Sequence, residues 1–424
     1  MHVLPVALAS MAVVSVAAAS GRGEQPLSPY GVCAHLPRGD EYPTARRELR
    51  LMREAGIGWA RADFSWSGVL RKPGGEWDFK HLDDVVRWAE AEGVRILPIL
   101  DYDTPWARPA HEHLDQWLEF VGQVVGRYKD RIRYWEVWNE PNLEQFWHDK
   151  PSAENYVKLL RATYKRIKQI DPKLVVLLGG TAGIPWGYLE GVYKAGARES
   201  FDVMNVHPYR YPRSPEEAPL FEDLLRLRRM MSEQGDAQKP VWITEIGWPT
   251  HQGRRGVSPE RQAEMLARAY LLSLQAGVEV VFWYEFQAME NKPDYNEDHF
   301  GIVHRDLRPK PAYTALKTLA GVRPAGSKKL DRPWRAGDVF CPAWQRPDGQ
   351  TAWALWRPGK PEDRTLRVKG EVRQAVGHLG EPLTLKRQGQ QLTVRPGEGP
   401  LYLVGPEELE VLAPKARAVD EEPP

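Results

Sequence analysis

The sequence has only two cysteines in 424 residues, Cys33 and Cys341. So few cysteines exclude the dense disulfide framework that stabilises many small secreted proteins. No group of cysteine and histidine residues has the spacing of zinc ligands, and we expect no metal site and no cofactor. Because the two cysteines are assigned below to different domains, we expect both to be buried free thiols.

An excess of charge of either sign is also missing. The chain has 58 lysines and arginines against 57 aspartates and glutamates, which leaves a net charge of +1. Proteins that bind nucleic acid or an anionic membrane surface usually carry a clear basic excess. The composition therefore argues against both kinds of partner, and we expect a monomer.

No apolar run reaches the roughly 20 residues that a membrane-spanning helix needs. The nearest candidate is the run from Val3 to Val16, and Ala17-Ala18-Ala19 then offers a cleavage site of small residues. We predict that residues 1–20 are a signal peptide, that the protein is secreted or periplasmic, and that no membrane span remains after cleavage. Because no Lys or Arg precedes the apolar run, an uncleaved N-terminal anchor is the alternative.

What the chain does contain is a repeated alternation of short apolar strands and amphipathic helices. Eight such units predict an α/β fold, a (β/α)8 TIM barrel, over residues 28–321. Residues 322–333 lose this pattern and are predicted to be a linker. Short alternating runs then predict a small C-terminal all-β, sandwich-like domain over residues 334–410. The Pro- and charge-rich stretch 413–424 is predicted to be a disordered tail.

Two of the predicted barrel strands end at a glutamate. One runs through Trp135 to Asn139 and stops at Glu140-Pro141, because proline disfavours continuation of regular structure. The other begins at Val241 and delivers Glu245. Catalytic groups of a parallel barrel lie at the carboxyl ends of its strands. Two carboxylates that face one bond are what glycoside hydrolysis requires.

Asn139-Glu140-Pro141 followed by Thr244-Glu245 resembles the fourth- and seventh-strand glutamates of clan A glycoside hydrolases. The likeness covers roughly residues 28–321 and is nearest to the family 39 and family 5 neighbourhood. The residues after the second glutamate, Ile246 to Pro249, resemble other members of the clan. The resemblance implies a retaining enzyme with Glu140 as general acid/base and Glu245 as nucleophile.

The same resemblance implies substrate-binding roles for residues near the strand ends. Asn139 would hydrogen-bond the sugar 2-hydroxyl, and Arg61 would keep the nucleophile ionised. His207 and Tyr209 would lie near the nucleophile, and Trp283 would form the floor of the first sugar subsite.

Loops at this face of a barrel set substrate choice. Further candidates for lining the cleft follow the third, fourth and seventh strands: Asp103, Trp106, Trp147 and Trp248. Asp63 and Trp66, which follow the second strand, are candidates of the same kind. Glu136, inside the fourth strand, is expected to form a structural salt bridge instead.

The abundance of Trp, 17 residues, and Tyr, 16 residues, fits both a large core and stacking on sugar rings. We therefore expect a polysaccharide or oligosaccharide substrate and favour endo action. An exo-acting β-glycosidase resembling a β-xylosidase and a non-catalytic carbohydrate-binding barrel are the alternatives. In the C-terminal domain, Trp344, Trp353 and Trp356 could form a sugar platform, but an architectural role is favoured.

Overall fold

The computed structural model describes residues 26–39 and 41–412. The predicted signal peptide (1–20) and the predicted tail (413–424) lie outside this range, so both stay predictions, as does export. Within the described ranges, no helix combines the length and the apolar character needed to cross a bilayer.

Eight parallel strands form a closed barrel in which each strand pairs with the next along the chain and the eighth pairs with the first, as predicted. The strands are β1 (Tyr30–Cys33), β2 (Trp59–Ser65), β3 (Arg95–Asp101), β4 (Tyr134–Asn139), β5 (Val175–Ala182), β6 (Met204–His207), β7 (Val241–Ile246) and β8 (Val280–Trp283). Their carboxyl ends meet at one face, which brings together residues that are distant in sequence.

Within residues 26–39 and 41–412, ten α-helices surround the barrel or lie in its loops. They are α1 (Ala45–Glu54), α2 (Trp66–Val69), α3 (Lys80–Glu92), α4 (Leu114–Tyr128), α5 (Glu144–Trp147), α6 (Ala153–Ile170), α7 (Trp186–Lys194), α8 (Leu220–Glu233), α9 (Pro259–Gln275) and α10 (Pro311–Val322). Ser258 caps α9, since its side chain accepts a hydrogen bond from the backbone N–H of Arg261 at 3.1 Å.

The barrel interior is filled in layers, because alternate residues of each strand point inward. The lowest layer is aromatic: Trp59 contacts Tyr134 and Trp242 with ring centroids 5.3 Å apart in both cases. Above it lies a layer of buried polar groups, and the two glutamates lie above that layer. In β8, Phe282 belongs to this interior cluster, whereas Trp283 packs in the outer core between the barrel and its helices.

The C-terminal domain consists of a five-stranded sheet (order β15-β18-β13-β12-β9), a four-stranded sheet (β16-β17-β14-β19) and a short pair (β10-β11). Their ranges are β9 (Lys328–Lys329), β10 (Arg335–Ala336), β11 (Val339–Phe340), β12 (Ala343–Gln345), β13 (Thr351–Leu355), β14 (Arg364–Lys369), β15 (Gln374–Val376), β16 (Lys386–Gln388), β17 (Gln391–Val394), β18 (Leu401–Val404) and β19 (Glu408–Val411). The predicted linker 322–333 thus contains β9, which pairs with β12 at the edge of the larger sheet.

The C-terminal domain is fixed to the barrel by buried charges. Arg268 of α9 is buried and forms ion pairs with both Glu216 and Glu398. The indole N–H of Trp356 donates to Glu216 at 2.8 Å. Breaking such a buried pair typically costs about 3–5 kcal/mol, because the remaining charge is left without a partner.

Trp344, Trp353 and Trp356 of the C-terminal domain are buried, as is each of the two cysteines. Trp344 donates its indole N–H to the carbonyl of Val322 and so ties the domain to the last barrel helix. The favoured architectural role is therefore confirmed, and no sugar platform is formed by these side chains. Cys33 and Cys341 are free thiols, as predicted.

Candidate active site

Glu140 follows β4 in a backbone conformation that non-glycine residues rarely adopt. Its φ is +45°, and that of Trp138 is +75°. Such conformations persist only where the surroundings hold them, and they cluster at functional sites. Here the backbone N–H of Glu140 donates to the carbonyl of Gly180 in β5 at 2.9 Å. The turn therefore aims the Glu140 side chain at the barrel axis.

The two glutamates predicted to act together are brought together by the fold. One carboxylate oxygen of Glu140, one of Glu245 and a ring nitrogen of His207 all lie within 4.8 Å of one another. Retaining glycosidases hold their two carboxyl groups about 5–5.5 Å apart, and inverting enzymes hold them about 6.5–9.5 Å apart. The spacing is therefore suited to direct attack by one carboxylate, with no room for a water between the carboxylate and the sugar.

Glu245 is surrounded by hydrogen-bond donors. Arg61 donates to one carboxylate oxygen at 2.6 Å, and the hydroxyl of Tyr209 donates to the other at 2.7 Å. Burial by itself would raise the pKa of Glu245, but its electrostatic interactions with His207 and Arg61 and these hydrogen bonds outweigh burial and lower the pKa. Glu245 is therefore ionised at neutral pH, as a nucleophile must be.

Glu140 has the opposite balance. Burial raises its pKa, the contact with His207 opposes that effect, and the negative charge of Glu245 adds to it, so the net direction is upward. His207 is fully buried, with Nδ1 3.0 Å from a Glu140 oxygen and Nε2 2.8 Å from the hydroxyl of Thr244. Glu140 is thus poised to hold a proton that it can donate.

A buried ion-pair network supports the two glutamates from below. Arg61 donates through two nitrogens to Glu136, at 2.7 and 2.9 Å, while a third contact reaches the side-chain oxygen of Asn139 at 2.9 Å. Glu136 also accepts from the side-chain amide of Asn205 at 2.9 Å. The expected structural salt bridge of Glu136 is confirmed, and one arginine orients both Glu245 and Asn139.

The site opens into a cavity of about 920 Å³. Five of the predicted site residues line it: Arg61, Asn139, Glu140, Tyr209 and Glu245. His207 lies beneath the glutamates, where it contacts both. Asp63, which was expected to follow the second strand, lies inside β2 near its carboxyl end; it also lines the cavity and is held by Arg38 at 2.8 Å and His35 at 3.1 Å.

The predicted aromatic platforms are not at the cavity. Trp147, Trp248 and Trp283 are fully buried and do not line it. Trp283 donates its indole N–H to the carbonyl of Phe300 and stacks on Trp248, with ring centroids 5.8 Å apart. The assignment of Trp283 as the floor of the first subsite is corrected accordingly: alternate residues of a strand face opposite sides, and Trp283 faces the helices.

The remaining candidates lie away from the cavity as well. Trp106 packs edge-on against Trp66, with ring centroids 5.1 Å apart. Asp103 is buried, and one of its oxygens lies 2.7 Å from Nδ1 of His148. Both residues therefore stabilise the loop after β3, and neither lines the cavity.

Sequence reasoning missed several residues that do line the cavity. Tyr284, next to Trp283, lies 6.4 Å from Tyr209 by ring centroids, and Tyr102 accepts a hydrogen bond from Asn139 at 3.1 Å. Glu297, in the loop after β8, has its pKa raised to about 7, first by burial and then by the charge of Glu245. The inward alternation of β8 from Phe282 could have identified Tyr284, whereas the loop position of Glu297 left no signal.

Within the described residues, two clusters place three possible metal ligands within 4.8 Å: Glu140 with His207 and Glu245, and His35 with Glu41 and Glu285. In the first cluster the guanidinium of Arg61 is already 2.6 Å from Glu245. This positive charge opposes the binding of a metal cation at the same carboxylate. The donor set therefore fits an acid and a nucleophile better than a metal centre.

Comparisons with known proteins agree with this geometry. A β-xylosidase of Geobacillus stearothermophilus is 25% identical over 274 residues, which cover 57% of this chain and 51% of that protein. The chain thus spans about half the length of this curated relative. A solved family 39 glycoside hydrolase from Bacteroides cellulosilyticus WH2 superposes with a TM-score of 0.78 and 26% identity, covering 90% of this chain and 81% of that one.

A solved monomeric β-xylosidase from Caulobacter crescentus CB15 has a TM-score of 0.64 at 19% identity and covers 92% of this chain and 98% of that one. At this identity the likeness supports the fold alone. The profile of the family described as Glycosyl hydrolases family 39 matches residues 110–323, half of the chain and both glutamates. The chain therefore belongs to glycosyl hydrolase family 39.

Proposed function

We propose that the protein is a retaining β-glycoside hydrolase, with Glu140 as general acid/base and Glu245 as nucleophile. The observation that carries this proposal is the approach of their carboxylate oxygens to within 4.8 Å, at the carboxyl ends of β4 and β7. The opposite directions of their pKa shifts add support, because a retaining enzyme needs one protonated and one ionised carboxyl group.

In the first step, a Glu245 oxygen attacks the anomeric carbon while Glu140 gives its proton to the departing glycosidic oxygen. The bond from the anomeric carbon to the leaving group breaks as the glycosyl ester to Glu245 forms. The hydrogen bonds from Arg61 and Tyr209 hold the attacking carboxylate in a single orientation. Such orientation removes much of the entropic cost of the reaction.

In the second step, Glu140 is ionised and accepts a proton from water, whose oxygen attacks the anomeric carbon and releases Glu245. Loss of Glu245's charge on ester formation removes the repulsion that favoured the protonated form of Glu140. Asn139 is placed by Arg61 to bond the 2-hydroxyl, a contact expected to strengthen in the transition state.

Exo action on a β-xyloside is a specific candidate, favoured by the β-xylosidase of Geobacillus stearothermophilus among the relatives. Endo action, which the sequence analysis favoured, stays a prediction. The two modes differ in products: an exo enzyme releases single sugars from one chain end, and an endo enzyme releases mixed oligosaccharides at once.

The experiment that tests the proposal measures hydrolysis of a panel of aryl β-glycosides, with product stereochemistry followed by proton NMR. Hydrolysis with first formation of the β-anomer is expected. It should be lost in Glu245→Gln, and lowered in Glu140→Gln for leaving groups that need a proton. First formation of the α-anomer would overturn the retaining mechanism. Sugar binding without turnover of any glycoside would favour the non-catalytic barrel.

Reducing-end-labelled xylo-oligosaccharides separate exo from endo action. Successive loss of single xylose units is expected from an exo β-xylosidase, and early appearance of labelled fragments of several lengths is expected from an endo enzyme. Failure to cleave any xylo-oligosaccharide while other β-glycosides are cleaved would remove the xyloside candidate and leave the glycosidase proposal intact.

A further inference from the structure

We propose that the leaving-group side of the cavity binds a sugar that carries a negatively charged substituent, a carboxylate or a sulfate, through Arg210, Arg213 and Arg255. This inference rests on the proposed function, because it extends the substrate of the same site. All three arginines line the cavity. They come from two loops, since Arg210 and Arg213 follow β6 and Arg255 follows β7.

The barrel order defines which side of the cavity holds the leaving group. Strands β5 and β6 lie on one side of the line from Glu140 to Glu245, and β8, β1, β2 and β3 lie on the other. Asn139, which we assign to the 2-hydroxyl of the retained sugar, donates to Tyr102 just past β3. The retained sugar therefore occupies the β8 to β3 side, and the leaving group extends over β5 and β6, beside the arginines.

Each arginine is positioned without using all its donors. Arg210 donates to Asp223 at 2.7 Å, yet its Nε is buried and has no hydrogen-bond partner among the described residues. Arg255 lies over the ring of Tyr211, 4.5 Å from its centroid, with no carboxylate in ion-pair range among those residues. An aromatic face orients a guanidinium and leaves its N–H groups available for an anion.

Arg213 is held through its backbone. Its carbonyl accepts the indole N–H of the buried Trp248 at 2.8 Å. Its guanidinium makes no ion pair with any carboxylate within the described part of the chain, in contrast to Arg61 and Arg268, which are fully paired. Trp248 thus supports the loop that carries this arginine instead of stacking on a sugar.

The carboxylates of the cavity do not neutralise this group. Asp63 is paired with Arg38 and His35 on the other side, Glu245 is paired with Arg61, and Glu140 contacts His207. Glu297 is held near Tyr284 and Glu245, and its pKa of about 7 leaves it only partly ionised at neutral pH. In a chain whose net charge is +1, three arginines with free donors at one end of a cavity form a local anion site.

The test compares aryl β-glycosides that share one glycone, the one found active in the panel above, and differ in a 4-carboxyphenyl, 4-sulfophenyl or neutral 4-carbamoylphenyl leaving group. The readout is kcat/KM for the anionic relative to the neutral substrate. Loss of one charge-assisted contact in Arg213→Gln or Arg255→Gln should lower this ratio about three- to tenfold. Intrinsic leaving-group reactivity cancels, because the same substrates are compared across variants.

Arg254→Gln is the matched control: it removes the same charge from the adjacent residue, which does not line the cavity. Its ratio should equal that of the wild type. A fall only with the carboxylate substrate indicates a uronic acid, and a fall with the sulfonate substrate indicates a sulfated sugar. A ratio that is unchanged in the Arg213→Gln/Arg255→Gln double variant, or equally lowered in Arg254→Gln, would overturn the inference.

Calorimetry of the Glu245→Gln protein with D-glucuronate, D-glucose 6-sulfate and D-glucose separates the two proposals. Tighter binding of either anion than of glucose, weakened in the double variant, supports the anion site even if no glycoside is hydrolysed. If neutral glycosides are hydrolysed but neither anion binds more tightly than glucose, the anion site is contradicted and the glycosidase proposal is unaffected.

Discussion

Glu140 and Glu245 are the same residue type at the ends of two barrel strands, and their surroundings give them different charges. Glu245 receives hydrogen bonds from Arg61 and Tyr209, whereas the carboxyl group of Glu140 contacts the ring of His207. The pKa of Glu245 is lowered and that of Glu140 is raised. The difference teaches that protonation state here is set by neighbours from other strands.

The largest effect is expected from Glu245→Gln, which removes the proposed nucleophile. We expect kcat/KM to fall by about 10⁴-fold or more for every leaving group, the scale seen when a covalent nucleophile is lost. Steady-state kinetics on the aryl glycosides that the wild type hydrolyses measures this fall in kcat/KM. Glu54→Gln, an exposed residue at the end of α1, is the control. A loss below tenfold would mean that Glu245 is not the nucleophile.

Glu140→Gln should have a smaller effect that depends on the leaving group. We expect kcat/KM to fall by about 10²–10⁴-fold for glycosides with poor leaving groups. The fall should be much smaller for dinitrophenyl glycosides, because their leaving group needs no proton. The raised pKa of Glu140 sets the basic limb of the wild-type pH profile of kcat/KM, so replacing this carboxyl group should also abolish that limb. An equal loss for all leaving groups would contradict an acid role.

Gly180→Ala tests the support of the Glu140 side. A Cβ at Gly180 would lie 2.0 Å from Nε2 of His207, so the ring must move away from its partners. Overpacking of this kind costs about 1–3 kcal/mol, and we expect lower thermal stability together with lower kcat/KM. Gly187→Ala in α7 is the control, since its Cβ would meet nothing within 4 Å. Unchanged kinetics in Gly180→Ala would show that His207 does not position Glu140.

Tyr209→Phe removes one hydrogen bond from the Glu245 side. Because that bond lowers the pKa of Glu245, its loss should raise this pKa and shift the acidic limb of kcat/KM to higher pH. We expect kcat/KM at the optimal pH to fall by about tenfold, the effect of losing one hydrogen bond to a charged group. Tyr188→Phe, whose hydroxyl has no partner in the described part of the chain, is the control. A shift of the acidic limb to lower pH would contradict the conclusion that Tyr209 stabilises the ionised form of Glu245.

Local sequence patterns predicted the elements well. The alternation of strands and helices was predicted, because amphipathic periodicity and caps such as Ser258 are local properties. The two glutamate-bearing strands and the structural role of Glu136 were also predicted from single stretches of chain. The prediction at β8 was wrong because the resemblance falls on Trp283, whereas the alternation of the strand places Trp283 in the outer core and its neighbour Tyr284 at the cavity.

The sequence by itself determined the order of strands and helices, the likeness to clan A glycoside hydrolases, and which two glutamates stand at strand ends, since each is encoded within a few neighbouring residues. Only the tertiary structure decided that carboxylate oxygens of Glu140 and Glu245 approach within 4.8 Å and that Arg210, Arg213 and Arg255 line the same cavity. These are distances between residues far apart in the chain, and closure of the barrel sets them.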